Sequence, residues 1–269
     1  MEALINMGFY KRLQRIIPEE IIFFIRHRLQ GREYFRLFYE KKADDVYNED
    51  RLVTWGRSLH FLQEEKFRKS YDEAVRLKLY VSPDIHWRLH TLCWAGVIAS
   101  KLAGDFIECG VNKGFSSKVL IDYLEFEKLG KTFYLMDTFV GLVETLLTEE
   151  EKQLGLKGGG YEPCIDVVNK VFGSKENVKI IKGVIPQTLP LVDTEKVAFL
   201  HIDMNCVVPE IEALKYFWER MVKGAIVIFD DYGWSGSIMQ KNAHDAFAES
   251  KGLKILTMPT GQGILIKPF

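Results

Sequence analysis

Short β-type segments alternate with helical segments from Gly104 to the end of the chain, and this order constrains the possible folds strongly. The sequence predicts strands at 105–109, 132–136, 177–181, 197–202 and 225–229, which read DFIEC, TFYLM, NVKII, VAFLHI and AIVIF. Helices are predicted near 115–129, 164–172, 209–222 and 237–250. Such alternation is typical of βαβ units, in which helices cover both faces of a parallel sheet.

Two further β-type runs, LKILTM and GILIKP, close the sequence and are joined only by residues 259–262. A connection this short predicts an antiparallel hairpin, because a parallel crossover needs a dozen or more residues. Residues 101–269 are therefore predicted to form an α/β domain with a doubly wound, mostly parallel sheet of seven strands.

The first 100 residues are predicted to form a helical extension. Pro18 and two acids precede the apolar and basic run IIFFIRHRLQ, an order that suits the helix dipole. Residues 52–79 show helical spacing, and Ser82–Pro83–Asp84 is predicted to cap a helix that starts near Ile85. The aromatic-rich N-terminal helices are expected to cover the active site or to form homo-oligomer contacts, with attachment to a membrane surface as the alternative.

Charge and composition bear on partners and compartment. The formal net charge of -1 predicts no general attraction to nucleic acid. No stretch approaches the ~20 apolar residues of a membrane span, and the first residues lack the order of a signal peptide. The four cysteines contain no C-x-x-C pair, which is typical of a reducing compartment. We therefore expect a cytoplasmic protein without a membrane span or a nucleic-acid partner.

The predicted strands end in acids and glycines. Ligands of open parallel sheets bind at the carboxyl ends of the strands, where the strand order reverses. A structural core has no need for so many carboxylates along one edge, so these residues predict a ligand site. They are Glu108, Gly110, Asp137, Gly183, Asp203, Asp230 and Asp231.

The first two strand ends indicate an adenosyl ligand without phosphate. Gly110 and Gly114 in FIECGVNKGFSS give G-x-x-x-G and lack the G-x-G-x-x-G of dinucleotide sites. They are expected to let the backbone approach a ligand closely. Asp137 follows the next strand, where an acid can accept both ribose hydroxyls. S-adenosylmethionine fits this combination.

A second group of acids, Asp203, Asp230 and Asp231, suggests a metal site. Neighbouring strands lie about 4.8 Å apart, so the three carboxylates would repel one another unless a cation lay between them. Oxygen ligands favour Mg²⁺ or another hard divalent ion. The alternative is that these acids cap the following helices.

Several ordered motifs between Asp105 and Pro268 resemble the macrocin O-methyltransferase (TylF/MycF-like) family of class I methyltransferases. They are FIECGVNKGFSS, YLMDTFVGL, HIDMN with PEIEAL, FWERMVKGAIVIFDDYG and PTGQGILIKP. The resemblance implies a Rossmann-like fold and Mg²⁺-dependent methyl transfer to a hydroxyl of a sugar or other small natural product. It also implies metal ligation by Asp203, Asp230 and Asp231. After Asp203 the chain reads MNCVVP, which departs from the family's D-x-Y-x-S/P-T-type run and leaves the acceptor open.

The site residues follow from the motifs and the resemblance together. Asp203 is the first candidate for the proton acceptor and His244 the second, although His244 also fits an ordinary surface position on a helix. His201 is expected to face a neighbouring helix. The predicted cofactor contacts are Glu108, Cys109, Gly110, Gly114, Ser116, Asp137, Thr138, Gly183 and Asp203.

The loop of about 25 residues between Asp137 and Cys164 is unusually long for a compact domain. It is predicted to be a lid or binding loop in which Gly158–Gly160 act as a hinge. The alternative is a disordered insertion.

Two other functions compete with methyl transfer. A nucleotide-binding or dehydrogenase-like domain is opposed by the missing dinucleotide fingerprint. An inactive methyltransferase fold that serves as a binding module is opposed by the acids retained at the strand ends.

Overall fold

The computed structural model describes residues 46–80 and 84–268, which belong to two compact units divided after His60. The helix predicted after Pro18 and the proposed roles of the N-terminal helices lie outside the described residues. The same holds for Ser82 and Pro83 of the predicted cap.

The first unit contains a β-hairpin where the sequence predicts helix. Strands β1 (Val46–Glu49) and β2 (Leu52–Trp55) pair antiparallel. Asp50 and Arg51 both have positive φ, which is typical of the two-residue turns that join twisted strands. The prediction of an all-helical first 100 residues was wrong here, because this turn lacks the glycine that usually signals such a hairpin.

The second unit is built around a seven-stranded sheet. Its strands are β3 (Asp105–Cys109), β4 (Phe133–Asp137), β5 (Val178–Lys182), β6 (Val197–Ile202), β7 (Met221–Phe229), β8 (Leu256–Thr257) and β9 (Gly263–Ile266). The order across the sheet is β5-β4-β3-β6-β7-β9-β8. The five strands from β3 to β7 are parallel, and β9 is antiparallel to both β7 and β8. The predicted fold class and the closing hairpin are confirmed.

Helices flank the sheet and connect its strands. They are α1 (Glu65–Arg76), α2 (His86–Ser100), α3 (Phe115–Leu124), α4 (Glu149–Gln153), α5 (Ile165–Phe172), α6 (Val207–Trp218) and α7 (Ile238–Ser250). The buried face of α1 carries Phe67, Tyr71 and Ala74, the spacing of an amphipathic helix. Helix α1 contacts α3, and α2 contacts β6 and β7. The division of the chain at residue 100 stays a prediction.

The sheet interior explains why its strands read as continuous apolar runs. All six residues of β6 are buried, as expected for a central parallel strand that helices cover on both faces. On one face, the ring of Phe106 stacks 5.0 Å from that of Phe199 and contacts Phe126 and Phe133 edge-on. None of the helices in 46–80 and 84–268 has the length and apolarity that crossing a membrane requires.

Candidate functional site

A cavity of about 340 Å³ opens at the carboxyl ends of the parallel strands. Its position beside the reversal between β3 and β6 is the one expected for this topology. The volume lies within the range of small-molecule sites. The predicted site residues that line it are Glu108, Gly110, Ser116, Asp137, Thr138, Gly183, Asp203, Asp230 and Asp231.

Asp137 joins the two loops that follow β3 and β4. Its Oδ2 accepts the backbone N–H groups of Val111 and Asn112, each at 2.7 Å, and its Oδ1 accepts the N–H of Phe139 at 2.6 Å. Thr138 donates its hydroxyl proton to the carbonyl of Gly141 at 2.7 Å. Thr138 Oγ1 also lies 3.3 Å from Asp137 Oδ1, but its single proton goes to Gly141, so one of the carboxylate's about four acceptor positions stays open on Oδ1.

The glycines of the G-x-x-x-G turn are required by contacts within the protein. A Cβ on Gly110 would lie 1.8 Å from the carbonyl oxygen of Asp203, and the φ of Gly110 is +92°. A Cβ on Gly114 would lie 2.5 Å from the ring of Phe172. Contacts within the protein therefore already require glycine at both positions, and close approach of the backbone to a ligand stays a prediction at Gly110, which lines the cavity.

Three of the predicted site residues, Cys109, Gly114 and His244, are not among the residues that line the cavity. Cys109 is fully buried in the apolar core, and burial raises the pKa of its thiol well above the usual range. His244 is 1% exposed, because α7 turns this side chain toward the sheet, where its ring stacks 4.1 Å from that of Phe229. The alternative of a surface position for His244 was therefore wrong as well.

A buried chain of charged groups lies behind the cavity lining, to which it contributes Glu108 and Asp230. His201 Nδ1 lies 3.0 Å from Glu108 Oε1, and His201 Nε2 lies 3.6 Å from Asp230 Oδ1. Ser117 donates its hydroxyl proton to Glu108. Burial lowers the pKa of His201, but the nearby carboxylate of Asp230 and the hydrogen bond with Glu108 outweigh it and raise this pKa to about 10. His201 thus bridges two carboxylates, a role that the sequence did not predict.

The three acids predicted to bind metal differ in their electrostatic state. Burial raises the pKa of Asp203 well above its usual range, and the charges of Asp230 and Asp231 add to this. Burial and the charge of Asp230 raise the pKa of Asp231 to about 7. For Asp230, burial acts in the same direction but is outweighed by Arg88 and His201, so its pKa is lowered.

Arg88, from the first turn of α2, is the cation beside these acids. Its Nη1 lies 2.6 Å from Asp230 Oδ2 and 4.0 Å from Asp231 Oδ1. Within 46–80 and 84–268, no cluster of three or more His, Cys, Asp or Glu side chains has the arrangement of a metal site. The predicted ligands line the same cavity, but they do not form a complete set of metal ligands.

The long loop after β4 forms another wall of the cavity. Leu142 and Gly159 exchange two backbone hydrogen bonds, of 2.9 and 2.8 Å, across the loop. Glu151 caps α4 together with Thr148 and accepts the N–H of Val207, at the start of α6, at 2.7 Å. The loop contributes Leu142, Val143, Leu146 and Tyr161 to the cavity lining. Hinge motion at its glycines stays a prediction.

Sequence reasoning missed Arg88, Tyr161 and Phe139. The sequence around Arg88 gave no signal for this role, which becomes visible through its contact with Asp230. Tyr161 follows the glycines of the loop, whose length was the available signal. Phe139 lies just after Asp137, is 1% exposed and has φ +58°, an unusual conformation for a bulky residue.

A sequence profile of one methyltransferase family spans most of the residues described above. The profile of macrocin-O-methyltransferase (TylF) matches residues 86–258, which include α2, the cavity-lining strand ends and the long loop. The chain belongs to the TylF family. It is an S-adenosylmethionine-dependent O-methyltransferase. Methyl transfer is therefore favoured over the dehydrogenase-like and non-enzymatic alternatives.

Solved O-methyltransferases share the fold of this TylF-family enzyme at low sequence identity. The O-methyltransferase NovP superimposes with a TM-score of 0.62 and 19% identity, over 70% of this chain and 82% of NovP. The calicheamicin methyltransferase CalS11 gives 0.53 and 14%, over 79% of this chain and 98% of CalS11. A caffeoyl-CoA O-methyltransferase homologue from Staphylococcus aureus gives 0.52 and 13%, over 78% and 95% of the two chains. No curated protein sequence matches the chain.

Proposed function

We propose that this enzyme transfers the methyl group of S-adenosylmethionine to a hydroxyl of a sugar or other small natural product, with a divalent cation such as Mg²⁺ bound beside the acceptor. One observation carries the proposal. Four carboxylates, those of Glu108, Asp203, Asp230 and Asp231, line a single cavity whose neighbouring cations are Arg88 and His201. The printed name of CalS11, a calicheamicin methyltransferase, agrees with a small-molecule acceptor.

The loops after β3, β4 and β5 are proposed to hold the methyl donor. Gly110 and Gly183 line the cavity without side chains that would narrow it, and Asp137 holds the backbone of Val111 and Asn112 in place. The remaining acceptor position of Asp137 suits one ribose hydroxyl. The bound donor supplies the methyl group, and alignment by these loops would account for much of the rate enhancement.

The chemistry of the acids fits a hard divalent cation. Asp203, Asp230 and Asp231 provide only oxygen ligands, and a bound cation would relieve the repulsion among these buried carboxylates. We propose that these three residues hold the cation, which would polarise the acceptor hydroxyl. Arg88 already binds Asp230. The three acids can therefore coordinate a cation together only after a local rearrangement.

Asp203 is the proposed proton acceptor. It lines the cavity together with Asp230 and Asp231, so its carboxylate would lie beside the acceptor hydroxyl that the cation polarises. Asn205 Nδ2 lies 3.3 Å from Asp203 Oδ1 and orients this carboxylate. The second candidate, His244, lies in the core and is not proposed further.

The test combines acceptor screening with metal removal. Methyl transfer from labelled S-adenosylmethionine is measured for a panel of hydroxylated sugars, nucleotide sugars and polyphenols, with Mg²⁺, with EDTA and after Mg²⁺ is restored. We expect EDTA to abolish transfer and Mg²⁺ to restore it. Asp230→Asn is expected to lower kcat at least about 100-fold while the Kd of S-adenosylhomocysteine changes little.

Asp166→Asn is the matched control, because Asp166 is an exposed acid on α5 that does not line the cavity. It should retain wild-type turnover. Activity that survives both EDTA and Asp230→Asn would overturn the metal role. A folded protein that does not bind S-adenosylhomocysteine would overturn the placement of the donor.

The four cysteines bear on the compartment. All four are free thiols and buried. We infer a reducing compartment such as the cytoplasm, where unpaired cysteines persist.

A further inference from the structure

The guanidinium of Arg88 occupies an oxygen of the proposed metal ligand Asp230. The Nη1–Oδ2 distance is 2.6 Å, and the two side chains are only 16% and 9% exposed. Asp231 Oδ1 lies 4.0 Å from the same nitrogen. The guanidinium also lies 5.7 Å from the ring centroid of Trp234, which follows Asp231 closely in the chain. Arg88 is therefore held among the acids, close to where a metal ion would bind.

The second oxygen of Asp230 is engaged as well. Gln262 donates from Nε2 to Asp230 Oδ1 at 2.9 Å, and Gln262 is fully buried. Thr260 donates its hydroxyl proton to Gln262 Oε1 at 3.0 Å, which fixes the orientation of the amide. His201 Nε2 lies 3.6 Å from the same Asp230 oxygen. Rotation of Asp230 would break this buried arrangement, so Oδ2 is the oxygen that a metal ion could take with the least disturbance.

We propose that Arg88 is a tethered cation that competes with the divalent ion for Asp230 Oδ2, so that metal binding displaces the guanidinium. This inference rests on the metal site of the proposed function. An arginine suits the role because it stays charged at any physiological pH, whereas a histidine or lysine can lose its proton when buried. Without metal, the ion pair with Arg88 avoids the large cost of an unpaired buried carboxylate.

The competition predicts that Arg88 weakens metal binding but stabilises the metal-free protein. Replacement of Arg88 by Gln removes the competitor and leaves Asp230 Oδ2 available, so metal affinity should rise. Coupling between two binding events of this kind is typically about 5- to 150-fold. The same substitution should lower the thermal stability of the metal-free protein, and added metal should restore more stability to the variant than to the wild type.

The first experiment titrates the full-length protein, with S-adenosylhomocysteine bound, with Mn²⁺ and follows free Mn²⁺ by electron paramagnetic resonance. Wild type, Arg88→Gln, Asp230→Asn and Lys241→Gln are compared. Lys241→Gln is the charge control, since Lys241 lies on α7 and donates to Asp245 on the same helix and to Tyr232 in the turn before it. We expect tighter Mn²⁺ binding in Arg88→Gln by about 5- to 150-fold, little change in Lys241→Gln, and loss of binding in Asp230→Asn.

The second experiment observes displacement directly in the wild type and does not depend on the fold of Arg88→Gln. Protein with ¹⁵N-labelled arginine is titrated with Mg²⁺, and the guanidinium resonance of Arg88 is assigned from an Arg88→Lys spectrum. We expect this resonance to shift with the same concentration dependence as metal binding. A resonance that does not move at saturating Mg²⁺ would overturn the competition.

The outcomes separate this inference from the proposed function. Mn²⁺ binding that is equal in wild type and Arg88→Gln, or weaker in the variant, overturns the competition and leaves the metal site intact. An equal gain in Lys241→Gln also overturns it, because general charge would then explain the effect. If none of the proteins binds Mn²⁺ while all bind S-adenosylhomocysteine, the metal site itself is wrong and the inference falls with it.

Discussion

His201 Nδ1 and Glu108 Oε1 lie 3.0 Å apart behind the lining of the cavity, where both side chains are about 2% and 3% exposed. The two residues occupy paired positions on the neighbouring strands β6 and β3. On its other side His201 approaches Asp230, the carboxylate that also binds Arg88. His201 therefore links the strand of the proposed cofactor site to the strand of the proposed metal site.

This pair predicts a pH-dependent contribution to stability. The folded-state pKa of His201, about 10, lies above its ordinary value of 6.5. The charged ring therefore stabilises the fold fully below about pH 6.5, and this stabilisation is lost as pH rises toward about 10. We expect the free energies of unfolding of wild type and His201→Asn to converge across that window in urea denaturation.

His90→Asn is the control for the histidine titration. Burial lowers the pKa of His90 from its ordinary value of 6.5, so this ring is neutral in both the folded and the unfolded protein well above that value. The stability difference between wild type and His90→Asn should therefore stay constant from about pH 8 to 10. A constant difference for His201→Asn as well would mean that the His201 ring is not charged in the folded protein.

We expect Gly110 to tolerate no side chain, and Gly155 is its matched control. Gly110→Ala would place a methyl group 1.8 Å from the carbonyl oxygen of Asp203 at φ +92°. Gly155→Ala has the same φ of +92° but no atom within 4 Å of the added carbon. Thermal or urea unfolding should show a loss of about 2–5 kcal/mol for Gly110→Ala and about 1–2 kcal/mol for Gly155→Ala. Similar losses would show that backbone conformation alone, and not the contact with Asp203, sets the requirement.

Glu151 predicts how the long loop is anchored. Its carboxylate accepts the N–H of Thr148 and the N–H of Val207, so it joins α4 to the start of α6. Glu151→Ala leaves both donors without this partner and should cost about 1–3 kcal/mol, with faster hydrogen exchange in residues 142–160. Glu150→Ala removes an exposed neighbour and should change neither quantity. Unchanged exchange in Glu151→Ala would show that other contacts hold the loop.

Tyr161 predicts a contribution to acceptor binding. Although Tyr161 is 40% exposed, partial desolvation and the charges of Asp203 and Asp231 raise the pKa of its phenol, so its hydroxyl stays protonated and can donate to an acceptor. Tyr161→Phe removes the hydroxyl and should raise the KM of the acceptor about 2- to 10-fold, with little change in the Kd of S-adenosylhomocysteine. Steady-state kinetics and calorimetry measure the two quantities. A weaker affinity for S-adenosylhomocysteine with unchanged KM would instead place Tyr161 against the cofactor.

The amino-acid sequence by itself determined the sheet, its closing hairpin, the family and the strand ends that line the cavity. These features depend on local hydrophobic patterns, on short ordered motifs and on the rule that parallel strands end at one edge. Asp137 and Asp203 could therefore be placed at the cavity before any coordinate was known. The hairpin at 46–55 was missed because its turn, Asp50–Arg51, carries no glycine.

Only the tertiary structure decided which charges face one another. Arg88 and Asp230 are 142 residues apart in the chain, and Glu108 and His201 are 93 apart, so no local pattern relates either pair. Glycine is required at position 110 because the carbonyl of Asp203, at the end of another strand, lies too close for a side chain. Residue spacing records periodicity within one element, whereas contacts between elements depend on how the chain packs. That is why the acids were predictable and the arginine among them was not.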